Sequence, residues 1–88
     1  MANGPIVVSC YPNPAVDEVK IQYYVERAGE IFISIGDTQG REVYRTVAEV
    51  AAGVNNGAIS LAGLPAGTYL LTLGTDSGSV TTKVQKMR

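Results

Sequence analysis

The chain contains no histidine, no tryptophan and one cysteine. Without histidine, neither a Ser-His nor a Cys-His nucleophile pair can be assembled, and zinc sites built on histidine or on several cysteines are excluded with them. Cys10 cannot form an internal disulfide, and its expected role is that of a small buried apolar group and not a reactive thiol. Charge is also scarce: Lys+Arg 7 against Asp+Glu 8 leaves a net −1, and charged residues make up 17% of the chain. That balance is too neutral for a basic-patch nucleic-acid reader. Hydrophobic residues reach 45%, too many for a disordered tail. No apolar run approaches the roughly 20 residues needed to span a membrane, so direct membrane insertion is not expected. Val7-Val8-Ser9-Cys10 loosely imitates a lipoprotein cleavage site, but no charged start and no apolar run precede it, so it is not a signal peptide.

With 88 residues, the chain has a predicted folded surface of roughly 5,000 Å² and room for one small core. Residues 6–88 are expected to form one domain, with 1–5 a linker or remnant.

What is present is a period of two. Ile6 to Cys10 is a short apolar run stopped by Pro12 and Pro14, which remove backbone donors. Val19, Ile21, Tyr23 and Val25 then alternate with Glu18, Lys20, Gln22 and Tyr24, one face apolar and the other polar. Ile31, Ile33 and Ile35 share a face in a third strand, followed by a turn over 36–40 in which Gly40 should take positive φ. From Arg41 to Val47 the alternation weakens, because Arg45 falls in phase with Val43 and Val47, as in a charged edge strand. Residues 48–54 fit either a helical turn or an irregular crossover, and Asn55-Asn56-Gly57 has the composition of a turn. Ala58 to Leu61 reads as a short strand. Leu64-Pro65-Ala66-Gly67 forms a corner into Tyr69–Leu73, with Tyr69, Leu71 and Leu73 inward. A hairpin at Thr75–Gly78 returns into a last strand with Val80, Thr82 and Val84 on one face. About seven antiparallel strands in this length predict an all-β, immunoglobulin-like sandwich. Tyr69, just past a Pro-containing corner, has the position of a tyrosine corner, its hydroxyl bonding back to upstream backbone.

The acids Asp17, Glu18, Glu26, Glu30, Asp37, Glu42, Glu49 and Asp76 fall mostly in turns or on outward positions, where solvation accounts for them. Asp37-Thr38-Gln39-Gly40 offers a cation only one carboxylate, so no metal site is expected. The glycines lack the Lys-Ser/Thr and helix of a phosphate cradle. No catalytic residue and no cofactor site is expected. After Asp76 the chain carries Lys83, Lys86 and Arg88 and no acid. Lysines on a last strand discourage edge pairing, and the same charge can also serve as a handle for a receptor.

Four motifs in order carry a resemblance: Tyr11-Pro12-Asn13-Pro14-Ala15; the apolar strand from Ile33 into Asp37 and Gly40-Arg41; Leu64-Pro65-Ala66-Gly67-Thr68-Tyr69-Leu70; and Lys83-Val84-Gln85-Lys86-Met87 at the end. Together they resemble the type A C-terminal sorting domain of type IX secretion in Bacteroidota, over residues 9–88. The resemblance implies a folded, non-catalytic address on the C-terminus of a cargo protein. It implies passage through the periplasm, recognition by the outer-membrane translocon, removal by a sortase, and delivery of cargo to the cell surface or the medium. Carried onto this chain, the recognition handle is Lys83, Val84, Gln85, Lys86, Met87 and Arg88, while Pro12, Asn13, Pro14, Gly40, Leu64, Gly67 and Tyr69 build the scaffold. Cleavage is expected upstream of Tyr11, and deletion of 83–88 is expected to abolish export while leaving the fold. Oligomeric state is not readable. A fibronectin-III-like adhesion or spacer module is the alternative, against which the tryptophan-free stretch Val19–Val25 counts. A carbohydrate-binding module would need exposed aromatic platforms, for which Tyr24 and Tyr44 are the candidates.

Overall fold

The computed structural model describes residues 5–11 and 17–87. Seven strands account for most of them: β1 (Ile6–Tyr11), β2 (Glu18–Val25), β3 (Gly29–Asp37), β4 (Glu42–Val50), β5 (Gly53–Ser60), β6 (Gly67–Thr75) and β7 (Gly78–Lys86). They form two antiparallel sheets, β1-β2-β5 and β4-β3-β6-β7, packed as an all-β sandwich. The accessible surface, 5253 Å², is close to the value expected from length.

The core follows from the period-two pattern. Every odd residue from Val19 to Val25 is buried, and Ile31, Ile33 and Ile35 meet them from the opposite sheet. Tyr69, Leu71 and Leu73 of β6 continue that layer, with Ile59, Leu61 and Val84 closing it. Each such side chain contributes about 1.5–3 kcal/mol on leaving water. Cys10 packs partly buried against this cluster, and burial pushes its thiol pKa up, which suits an inert apolar role.

Of the two readings of residues 48–54 the crossover is the one realised, shortened to two residues, and the turn expected at 55–57 is strand instead. There is no helical turn among them: β4 runs to Val50, Ala51-Ala52 crosses from one sheet to the other, and β5 begins at Gly53. Asn55, Asn56 and Gly57 lie inside β5, opposite Tyr23, Gln22 and Ile21 of β2. Asn55 still does the work of a turn residue from within the strand. Its side-chain amide donates to the carbonyls of Ala51 (2.8 Å) and Gly53 (3.2 Å) and so braces the crossover.

The weak alternation in β4 also has a structural cause. The register with β3 slips between Ile35↔Tyr44 and Gly36↔Glu42, a bulge at Val43. Val43 therefore packs on the core while Arg45 and Val47 remain outside, so the three do not share a face. The edge assignments of β4 and β7 match the sheet order.

On the outer face, Phe32 lies across the strand from Gly74. A Cβ on Gly74 would stand 2.0 Å from the Phe32 ring, so only glycine leaves the ring room to lie flat. The Arg45 guanidinium covers that ring at 4.4 Å and pairs with Glu42 at 3.0 Å.

Candidate functional site: the corner end and the terminal strand

Strand directions bring three of the four motifs to one end of the sandwich. β3 ends there at Asp37, β6 starts there at Gly67, and β7 finishes there at Lys86. Asp37 is the register partner of Tyr69, Tyr69 of Val84, and Gly67 of Lys86. β1 ends and β2 begins at the same end, because Glu18 pairs with Ser60 just before the Leu64–Gly67 corner. Pro12, Asn13 and Pro14 lie outside the described residues, as does Arg88.

The turn after β3 is built on Asp37. One carboxylate oxygen accepts from the backbone N–H of Gln39 (3.0 Å) and of Arg41 (2.9 Å), and the other accepts from Arg41 Nε at 3.2 Å. The amide of Gly40 donates to the Asp37 carbonyl, and Gly40 sits at φ +86°, as expected for glycine in this turn. The Arg41 amide, the Gln39 amide and the Arg41 guanidinium hold the Asp37 carboxyl below the ordinary carboxylate range, against a smaller opposing cost of desolvation.

The second motif is a tyrosine corner. The Tyr69 hydroxyl donates to the carbonyl of Pro65, four residues upstream, and the ring is buried. The Leu64 amide donates to the Leu61 carbonyl at 3.1 Å, and Gly67 leads into β6 at φ +153°. Between turn and corner lies a cleft of about 280 Å³, lined by Asp37, Gln39, Arg41, Pro65 and Tyr69 among others.

The terminal strand alternates. Val84 is fully buried and Lys86 is 4% exposed, while Lys83, Gln85 and Met87 face out. Gln85 accepts from the Thr68 hydroxyl at 2.9 Å across the hairpin. None of Lys83, Gln85 and Lys86 is without a partner. The six-residue handle read from sequence is thus divided by the pleat into inward and outward members. Val84 belongs to the core, so a deletion of 83–88 would remove a fully buried side chain along with the outward ones.

Tyr24 and Tyr44, the candidate sugar platforms, stand on different sheets. Two features were not visible in sequence reasoning. The Thr68–Gln85 pair follows only from the β6–β7 register, and the Phe32–Gly74 contact only from the β3–β6 register. Among the described residues, no three His, Cys, Asp or Glu side chains come together to hold a metal ion. Among the described residues, no helix is long and apolar enough to cross a membrane.

The family model described as the secretion system C-terminal sorting domain matches residues 9–87. The chain belongs to this family of type IX secretion sorting domains. No curated protein matches it significantly. As a sorting domain it is part of a larger cargo chain, interacts with the type IX secretion machinery, and accompanies secretion through the outer membrane to the cell surface or beyond. The family is one of sorting signals, generally non-catalytic.

Proposed function

We propose that residues 6–88 act as a non-catalytic address, with residues 1–5 in the connection to cargo. The address is read in the periplasm by the outer-membrane translocon, and a sortase then cuts upstream of Tyr11 and attaches the cargo to the cell surface. The recognition handle is the terminal segment Lys83 to Arg88, and Pro12, Asn13, Pro14, Gly40, Leu64, Gly67 and Tyr69 hold the scaffold that presents it.

The observation that carries this reading is the division of β7 into two faces. Lys83, Gln85 and Met87 offer a partner a basic, partly apolar strip on a sheet edge. Val84 and Lys86 anchor that strip from within. A strand at the edge is accessible whatever cargo precedes it, and its pairing groups suit extension by a partner strand.

The test compares outward and inward substitutions in a secreted parent. Lys83→Glu with Gln85→Glu is expected to block export while the domain keeps its melting temperature to within a few degrees. Normal export of that double variant contradicts the handle.

A further inference from the structure

The edges of the two sheets are not equally defended. β4 carries Glu42, Arg45 and Glu49, β7 carries Lys83, and the register of β1 shifts between Val7 and Ser9. Charges and bulges of this kind keep an edge strand from pairing with other molecules. β5 has neither. Gly53–Ser60 holds no charged residue and no proline, and it stays in register with β2 along its whole length.

The hydrogen-bond phase of β5 fixes what this edge offers. The Leu61 amide donates to the Asp17 carbonyl at 2.7 Å, and that pair extends the β2–β5 register by one step. The odd residues of β5 therefore exchange their hydrogen bonds with β2, while the N–H and C=O groups of Val54, Asn56, Ala58 and Ser60 point to the open edge. The side chains of these residues are all exposed and uncharged. Gly57 adds a second observation. It has no positive φ, and a Cβ there would meet Ile21 at 3.5 Å, an ordinary contact, so nothing within the chain requires glycine. Glycine inside a strand often marks a place where another backbone comes close.

We propose that β5 pairs with the β5 strand of a second copy of this chain, antiparallel about a twofold axis at Asn56, joining the two three-stranded sheets into one. In that register the edge is complementary to itself. Val54, Asn56 and Ala58 face the partner's Ala58, Asn56 and Val54, so groups that point to the edge meet groups that do the same, and N–H···O bonds run both ways. The pairs between them bring side chains closest, and there Asn55 faces the partner's Gly57 and Ile59 faces the partner's Gly53, each larger residue meeting a glycine. On the outer face the Gln22 amide donates to Asn56 Oδ1 at 3.4 Å, and the amide row continues across the axis through the partner's Asn56 and Gln22. A residue on a twofold axis meets its own copy, so a charge there would repel itself, and β5 carries none. β7 lies on the far side of the sandwich, beside β1, and the pairing is independent of how the translocon reads it.

Sedimentation equilibrium of the 88-residue chain, from micromolar to millimolar concentration, tests the proposal. The average mass is expected to rise from monomer toward dimer. Asn56→Lys, at an exposed position, is expected to weaken that association by about tenfold or more, because like charges then face each other across the axis. Its melting temperature in dilute solution should match that of the parent sequence. In a Cys10→Ala background, Asn56→Cys is expected to give a disulfide-linked dimer on mild oxidation, since Cα atoms paired in this way stand about 5.5 Å apart. Ser60→Cys, remote from the axis, is expected to give none. A chain that stays monomeric throughout overturns the proposal. So does a dimer that Asn56→Lys leaves intact, or one that Ser60→Cys links as readily as Asn56→Cys, since another surface or register is then responsible.

Discussion

Asp37 and Tyr69 face each other across the β3–β6 ladder, and each closes a different loop at the same end of the molecule. Asp37 gathers the turn through Arg41, and Tyr69 ties the corner to Pro65. Loss of either loosens the platform on which the end of β7 lies. Tyr69→Phe removes one hydrogen bond and leaves the Pro65 carbonyl to find another donor. The expected cost is about 1 kcal/mol, read as a shift of the urea midpoint at unchanged slope.

The Asp37 carboxyl is held below its unfolded value, so its contribution is present above the unfolded pKa and is lost as pH falls through the lower folded value. Stability should therefore decline on acidification below about pH 4, the ordinary carboxylate range. Asp37→Asn should flatten that part of the profile. Chemical denaturation in steps from neutral to acid pH for both proteins gives the comparison, and parallel profiles would assign the acid sensitivity elsewhere.

Adjacent residues of β7 should respond oppositely to truncation. Val84→Ala empties part of a closed core and is expected to cost about 2 kcal/mol. Lys83→Ala, on the outward face, should stay within about 0.5 kcal/mol. The pair of midpoints checks the strand phase directly.

Gly74→Ala places a methyl group where the Phe32 ring lies. The ring must swing away and surrender its contact with Arg45, at an expected cost of about 1–2 kcal/mol. In a Phe32→Ala background the same substitution should be nearly neutral. A double-mutant cycle measures that coupling, and additivity of the two changes would contradict it.

Asn55→Ala leaves the carbonyls of Ala51 and Gly53 without the amide that joins them. Because this brace defines the sheet-to-sheet crossover, a loss of about 1–2 kcal/mol is expected in thermal or urea unfolding.

The alternating strands were legible because a half-buried strand writes its burial directly into the chain: β2 reads apolar at every odd position from 19 to 25. The tyrosine corner and the positive φ of Gly40 were legible for a similar reason, since local backbone geometry selects for those residue types. Residues 48–56 were not. Asn55-Asn56-Gly57 has turn composition, yet Asn55 acts on a crossover two to four residues behind it while sitting in a strand, and local propensity gives way to tertiary pairing with β2. The β4 bulge hid the phase of Val43 in the same way. In the terminal strand the period of two already set Val84 on one face with Val80 and Thr82, and what it left open was that this face also takes Lys86 inside, opposite Gly67 in the hairpin register.

The most direct measurement of the central claim is the location of a fluorescent reporter with an export signal for the inner membrane at its N-terminus and residues 4–88 at its C-terminus, expressed in a host with a working type IX system. The account predicts delivery to the cell surface or medium, lost in a translocon-deficient strain and lost again with Lys83→Glu and Gln85→Glu. A reporter that stays soluble in the periplasm while its sorting domain is folded would contradict it.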